Sequence, residues 1–196
     1  MRKRSGVLLL LTALALTTGA LASTVDLWLY RLPDPAAADR DGLFRWLVLR
    51  DLASESAETR AALIGRFEQE LEQGLEISSA SSGLEQAHRD QLQRNLNVLV
   101  ADWFRNHART YAAASGAERA VMLDQQSGQI ERWGIIEVMF PPKPGASQSD
   151  LERLMAFEHW AQGWIDPLAA DERQRVRPYL TALESQMVAR RLRSLW

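Results

Sequence analysis

The three histidines, His88, His107 and His159, are the side chains best suited to metal binding or to proton transfer near neutral pH. Metal sites on helices place their ligands three or four residues apart, as in an HExxH motif. Trp103 stands four residues before His107, and Glu158 directly precedes His159, which turns those two side chains about 100° apart on a helix. The spacing therefore predicts no metal site. It predicts a partly buried, structural role for His107, with pH sensing as the alternative.

Two glutamates, Glu137 and Glu158, stand among apolar residues and are candidates for acid catalysis, because burial raises the pKa of a carboxyl. A glutamate at the solvent edge of its helix, or paired with an arginine, would have no such role, and we favour that interpretation for both. The serines at 78–82 lack the GxSxG pattern of a hydrolase. The chain has no cysteine and no glycine-rich phosphate loop. We expect no catalytic residue, no enzyme activity and no cofactor.

Seven tryptophans are the unusual feature of the composition. Trp160 and Trp164 lie four residues apart and share a helix face with Phe157. Further apolar residues cover another side of the same segment, namely Leu151, Met155 and Ile165. This helix is therefore either sandwiched between other helices or exposes a groove for a peptide or a lipid. We favour the sandwich, and we take Phe157, Trp160 and Trp164 as the candidate binding residues.

A long helix over residues 88–114 is expected to position these elements. No proline or glycine interrupts it, and at 1.5 Å per residue it would run roughly 40 Å. Its apolar stripe repeats at intervals of three and four residues: Leu92, Leu96, Leu99, Val100, Trp103, His107 and Tyr111. The opposite face is charged and polar, with Arg89, Asp90, Arg94, Asn97, Arg105 and Arg109. Shorter helices need such a spine to bury their own apolar faces.

The remaining pattern predicts helices on both sides of the spine. A short one covers 43–52, and a long amphipathic one runs from a serine cap at Ser54 or Ser56 to about Gln73. Capping boxes at Ser115 and Ser149 begin two more. Three interruptions are expected: a kink or split at Ser127-Gly128, a proline-rich loop over 141–148, and a kink or break caused by Pro178 in the last helix, 171–194.

The N-terminal sequence has the pattern that is typical of a membrane segment. The basic residues at 2–4 precede an uncharged run over 5–25, long enough to cross a bilayer, and Trp28 and Tyr30 fit an interfacial aromatic belt. The alternative is a signal peptide that is cleaved near Ala22. We favour the anchor. In both cases the positive-inside rule keeps residues 2–4 in the cytoplasm and places the following domain outside it.

The charge balance restricts the partners. Without residues 2–4, 20 basic residues remain against 25 acidic ones, a formal charge of −5, so nucleic acid is not an expected partner. The expected partners are the membrane, through the N-terminal segment, and an unidentified protein. The chain is long enough for one domain with its own core.

The sequence thus predicts an all-α protein: a hydrophobic membrane segment at 1–25, a linker at 26–41 and an extracytoplasmic bundle of five or six helices at 42–196. We expect a non-enzymatic protein-interaction or scaffolding module of the cell envelope, single-pass with its N-terminus in the cytoplasm. If the segment is cleaved, the domain would be secreted or periplasmic. The alternative function is a binding module for a lipid or another hydrophobic ligand, held in a Trp-rich groove between helices.

Overall fold

The computed structural model describes residues 31–76, 83–135 and 150–193, with only the backbone for 150–155. These ranges hold six α-helices, two short 3₁₀ turns and no strand. The helices are α1 Arg40–Leu49, α2 Ala57–Glu72, α3 Gln86–Ala113, α4 Gly116–Trp133, α5 Asp150–Ile165 and α6 Ala170–Arg193. The expected all-α fold is confirmed. The predicted membrane segment, the serines at 78–82, the predicted proline-rich loop and Ser149 lie outside the described residues.

Within the described ranges, no helix has the length and apolar character needed to cross a membrane.

Local capping explains where the helices begin. Asp39 Oδ1 accepts a hydrogen bond from the Gly42 amide at 2.8 Å, and Ser56 Oγ accepts one from the Thr59 amide at 3.0 Å. These bonds satisfy amides that the first turn of a helix leaves without partners. The predicted capping box at Ser115 is confirmed, since the Ser115 amide donates to the Glu118 carboxylate at 2.7 Å. The predicted serine caps at Ser56 and Ser115 are therefore confirmed.

The spine helix α3 lies at the centre of the bundle. It packs against α1, α2 and α6, and α6 in turn packs against α4 and α5. The predicted stripe residues Leu96, Leu99 and Trp103 are buried, which confirms the central face. Phe104, which the stripe left out, is fully buried as well. Neighbours on several sides therefore bury more of α3 than one amphipathic face.

The interruption expected within α4 is absent, because α4 continues through Ser127 and Gly128, both of which are buried. These small residues face α6: a Cβ added at Gly128 would lie 3.4 Å from the Arg190 guanidinium. Ser127 Oγ bonds the Asp124 carbonyl within the helix at 3.0 Å. The pair therefore permits close packing of α6. The helix ends instead at Gly134, whose φ of 60° favours glycine.

Helix α6 likewise continues through Pro178, so the break considered from the sequence is wrong. Pro178 is exposed, whereas the next residue, Tyr179, is fully buried and donates its hydroxyl to Gln126 Oε1 at 2.8 Å. Burial raises the pKa of Tyr179, so the phenol stays protonated and continues to donate. Packing of this side of α6 onto α4 offsets the backbone bond that proline cannot make.

Candidate functional site

The three predicted site residues come together on the core side of α5. Phe157 is 2% exposed and meets Phe104 of α3, with ring centroids 5.5 Å apart. Trp160 lies 6.0 Å from Phe104 and 5.7 Å from Trp164 between centroids. Both indoles are partly buried and pack against the hydrophobic core. We call Phe104, Phe157, Trp160 and Trp164 the aromatic cluster. Ligand binding by these residues stays a prediction.

A network of charged side chains borders the aromatic cluster. The Arg105 guanidinium lies over the Trp164 ring, 5.3 Å from its centroid, within the range of a cation–π contact. The Asp102 carboxylate accepts one hydrogen bond from Arg105 Nη1 and one from Arg60 Nε, each at 2.6 Å. Glu172 of α6 stands 3.9 Å from Arg105 Nε. These charges tie α2, α3 and α6 together, which is a structural use of groups that could otherwise have acted on a substrate.

Two donor atoms inside this border make no hydrogen bond, although the Arg105 side chain is ion-paired. The indole nitrogen of Trp164 and Nε of Arg105 are buried, and neither has a hydrogen-bond partner among the described residues. The indole nitrogen of Trp133, on α4, is also buried without a hydrogen-bond partner among the described residues. A buried donor without an acceptor carries the cost of its lost hydration. The Trp164 and Arg105 donors could therefore bind an oxygen atom of a ligand.

His107 is partly buried, as predicted, and its contacts are structural. Its Nδ1 lies 2.9 Å from the Trp103 carbonyl oxygen, and the two rings have centroids 4.1 Å apart. Trp103 in turn donates its indole N–H to Glu68 Oε1 at 2.7 Å. The described ranges contain no group of three or more histidine and acidic residues able to hold a metal ion.

Of the two glutamates considered as candidates for acid catalysis, one lies among the described residues. Glu137 lies outside them, and Glu158 is exposed on α5. The carboxylate that Glu158 does influence is Glu184 of α6, whose pKa is raised by burial and further by the negative charge of Glu158. Two glutamates thus face each other across the α5–α6 contact. Glu158 is exposed to solvent, and its carboxylate accepts a hydrogen bond from Gln162 Nε2 at 3.3 Å.

Sequence reasoning missed a surface groove at the turn between α3 and α4. It has a volume of about 650 Å³, and its lining combines small and apolar side chains with one carboxylate: Thr110, Ala113, Ala114, Ala117, Glu118, Val121 and Met122. Val121 is 57% exposed, the highest value among the exposed large apolar residues of the described chain. We call this feature the α3–α4 groove. A run of alanines on both sides of Ser115-Gly116 was its only signal in the sequence.

A second groove, of about 780 Å³, follows the outer side of α6 past Arg173, Pro178 and Ser185. All of its described lining residues belong to that one helix. Its described lining includes five polar side chains, Arg173, Gln174, Arg177, Thr181 and Ser185, so it is more polar than the α3–α4 groove. Among the described residues, only the α3–α4 groove is formed by two helices that meet at a turn, and we therefore take it as the better candidate for apolar recognition.

Sequence reasoning also missed the polar centre of the domain, Asn95. Its side chain is fully buried and accepts a hydrogen bond from the Leu52 amide at 2.9 Å. It donates to the carbonyl oxygens of Leu47 at 2.8 Å and Arg50 at 2.6 Å. Asn95 therefore holds the C-terminal end of α1 against the spine. The available signal was an uncharged polar residue three positions after Leu92, on the edge of the apolar stripe.

Comparison of the chain with family models, with curated proteins and with solved structures yields no match. No role can be carried over from a relative to the aromatic cluster or to the α3–α4 groove. Their geometry and chemistry are the basis for assigning a function.

Proposed function

We propose that this protein is a membrane-anchored, extracytoplasmic helical domain that acts as a non-enzymatic protein-interaction module. Its contact surface is the α3–α4 groove, and its ligand is an apolar segment of a partner protein. One observation carries the proposal: Val121, 57% exposed, lies inside an apolar groove built by two helices. Exposed apolar surface that is concave and contiguous marks interaction sites more often than scattered exposed residues do.

The groove is held in a fixed shape, which favours binding because little conformational entropy is lost when the partner docks. Arg119 donates to the carbonyl oxygens of Tyr111 at 3.0 Å and Ala112 at 3.1 Å, across the turn. Its guanidinium also lies 5.1 Å from the Tyr111 ring centroid. The capping box of Ser115 and Glu118 fixes the first turn of α4. Two helices and their turn thus form one rigid unit.

The anchored and extracytoplasmic part of the proposal rests on the N-terminal sequence. Three basic residues at 2–4 precede the uncharged run at 5–25, and this order favours an N-terminus in the cytoplasm. The acidic balance of the rest of the chain supports a protein partner over nucleic acid.

Site-specific photocrosslinking in membranes tests the groove. A photoreactive amino acid is placed at Val121 in the full chain, and a matched control carries it at Ala120. Ala120 is exposed on the same helix but is not part of the groove lining. We expect a discrete crosslinked protein from position 121 and none from position 120, and we expect Val121→Arg to abolish partner capture without changing the helical content. Equal crosslinking from both positions would contradict the proposed surface.

A second function, binding of a hydrophobic ligand at the aromatic cluster, is favoured by the unpaired Trp164 indole N–H. A fatty acid fits this chemistry. Its chain would pack on the indoles, and its carboxylate would accept hydrogen bonds from the Trp164 indole N–H and Arg105 Nε. Titration with dodecanoate, followed by tryptophan fluorescence, tests it. Trp164→Phe removes the N–H donor together with part of the aromatic ring system, and it should weaken binding several-fold. Trp133→Phe, which removes a similarly unpaired donor elsewhere, should leave binding unchanged.

A further inference from the structure

We propose that helix α1 lies against the lipid headgroups, so that the domain is docked on the membrane by one defined face and holds the α3–α4 groove away from it. This inference rests on the proposed membrane anchor and adds an orientation to it. The occupant of the exposed α1 face is the bilayer surface, and three features of the described residues lead to this choice.

The first feature is the place where the chain joins the domain. The Arg31 carbonyl oxygen accepts a hydrogen bond from Arg45 Nη2 at 3.0 Å, and the Pro33 carbonyl oxygen accepts one from the Trp46 indole at 3.0 Å. Both donors belong to α1. The start of the folded domain is therefore held against this helix, so the preceding N-terminal segment is connected to the domain at α1.

The second feature is the short distance that remains to the membrane segment. The uncharged run ends at Val25, six residues before Arg31. A fully extended chain spans at most about 3.6 Å per residue, so these residues reach roughly 20 Å. The spine helix alone has 28 residues and is about 42 Å long at 1.5 Å per residue, which is twice that reach. The domain therefore cannot turn α1 to the side away from the membrane segment. The anchor therefore holds α1 near the bilayer surface.

The third feature is the composition of the exposed face of α1. Leu49 is 41% exposed, and Phe44 and Val48 are partly exposed beside it. Arg50, directly after the helix, is exposed too. Apolar side chains flanked by arginines are typical of helices that lie at a membrane interface, where the apolar groups enter the headgroup boundary and the guanidiniums meet phosphates. Two exposed carboxylates border this face: Asp41 lies one turn before Phe44, and Asp51 directly follows Arg50. Docking therefore depends on the apolar side chains and on the short tether, and not on a net positive charge of this face.

The α3–α4 groove lies at the other end of the spine. The Arg50 carbonyl, at the end of α1, accepts a hydrogen bond from Gln91 Nε2 at 2.9 Å. The groove begins at Thr110, nineteen residues further along α3. At 1.5 Å per residue the separation along the helix is about 30 Å. A domain that rests on α1 therefore presents the groove away from the membrane, where a protein partner can reach it.

Depth-sensitive labelling tests this orientation, and the absence of cysteine from the chain makes it direct. Leu49→Cys and Val121→Cys are prepared in the full chain, labelled with an environment-sensitive fluorophore and reconstituted in vesicles of phosphatidylcholine and phosphatidylglycerol. Both positions are solvent-exposed, so neither label disturbs the core. We expect a blue-shifted emission at position 49 and quenching by brominated lipid that is several-fold stronger there than at position 121.

Resistance of the same samples to alkaline carbonate extraction reports the anchor separately. If the chain is inserted but both probes report water, or both are quenched equally, the docking of α1 is wrong and the proposed interaction module still stands. If the chain is extracted by carbonate, the anchor itself is wrong, and the orientation that rests on it falls with it. Stronger quenching at position 121 than at 49 would show that the domain is docked by the opposite end.

Discussion

Replacement of Asn95 by alanine is expected to destabilise the domain more than any other single change to a polar side chain of the spine. The Asn95 side chain is fully buried and joins four groups: the Leu52 amide, the Leu47 and Arg50 carbonyls, and Gln91 Nε2 at 3.2 Å. The carbonyls belong to the end of α1, where the helix provides no partners for them. The side chain thus replaces hydrogen bonds that water cannot supply at this site.

The size of this destabilisation follows from the buried polar groups that lose their hydrogen-bond partner when Asn95 is removed. Removing one partner of a buried hydrogen bond costs about 1–3 kcal/mol per stranded group. The Leu52 amide and the Leu47 carbonyl both lie in buried contacts with Asn95. Two such groups, with partial relaxation, give a loss of about 2–4 kcal/mol. Domains of this kind have total unfolding free energies of about 5–15 kcal/mol, so the loss would be large.

Urea denaturation of the full chain in detergent, followed by circular dichroism, measures this change against a matched control. Asn106→Ala makes the same chemical change on the same helix, but Asn106 is exposed and accepts only a 3.3 Å bond from Arg109. Any gain in helix propensity is common to both variants. Asn95→Asp should be at least as harmful as Asn95→Ala, since it sets an anion against two carbonyls. A difference between the two alanine variants within about 0.5 kcal/mol would refute the reasoning.

Three further predictions follow from the same structure. Leu99→Ala should cost about 2–5 kcal/mol of unfolding free energy by leaving a cavity, whereas Arg94→Ala on the exposed face should change it by less than about 0.5 kcal/mol, both measured by urea denaturation. A cytosol-dependent reporter fused after Trp196 should be inactive and an export-dependent one active; the reverse pattern would exclude the proposed topology. Burial and the charge of Glu158 raise the pKa of Glu184, so its protonated form favours folding and this stabilisation is lost as the pH rises through the raised value. Glu184→Gln should therefore melt above the parent at neutral pH, and the difference should disappear below about pH 4, under the ordinary pKa of a glutamate.

The helices and the buried face of the spine could be predicted because their signals are local. Ser56 and Ser115 cap helices through bonds to residues three positions away, and the stripe through Leu96 and Leu99 repeats with the helix period. Such features depend on neighbours along the chain and not on the final arrangement of helices. The sequence therefore identified the capped starts of α2 and α4 and the central residues of α3, whereas α1 begins three residues earlier than predicted.

The errors concern residues whose behaviour depends on distant partners. Gly128 suggested an interruption, yet α4 continues through it because the Arg190 guanidinium of α6 lies beside it. Pro178 suggested a break, yet its exposed position and the buried neighbour Tyr179 keep the helix intact. In both cases tertiary packing outweighs an intrinsic preference of about 1–3 kcal/mol.

In the candidate site, too, local features could be predicted from the sequence and features that depend on distant residues could not. The shared face of Phe157, Trp160 and Trp164 was evident from their spacing, but its degree of burial depends on Phe104 of α3, more than fifty residues earlier. The α3–α4 groove is formed by two helices that meet at a turn. Its alanines are common in helices of every kind, so their presence in the sequence does not predict a groove. Concave surfaces arise from the angle between elements, which single-residue patterns do not encode.

The clamp between Arg31 and Arg45 has a mechanical consequence. If the proposed anchor places tension on the N-terminal tether, that load reaches α1, which is joined through Asn95 and Gln91 to the N-terminal third of the spine. The load then passes from α1 into the N-terminal part of α3 through these side-chain hydrogen bonds. The turn between α3 and α4 lies about 30 Å further along the spine, outside this path. A partner bound there would stay bound to a domain under tension.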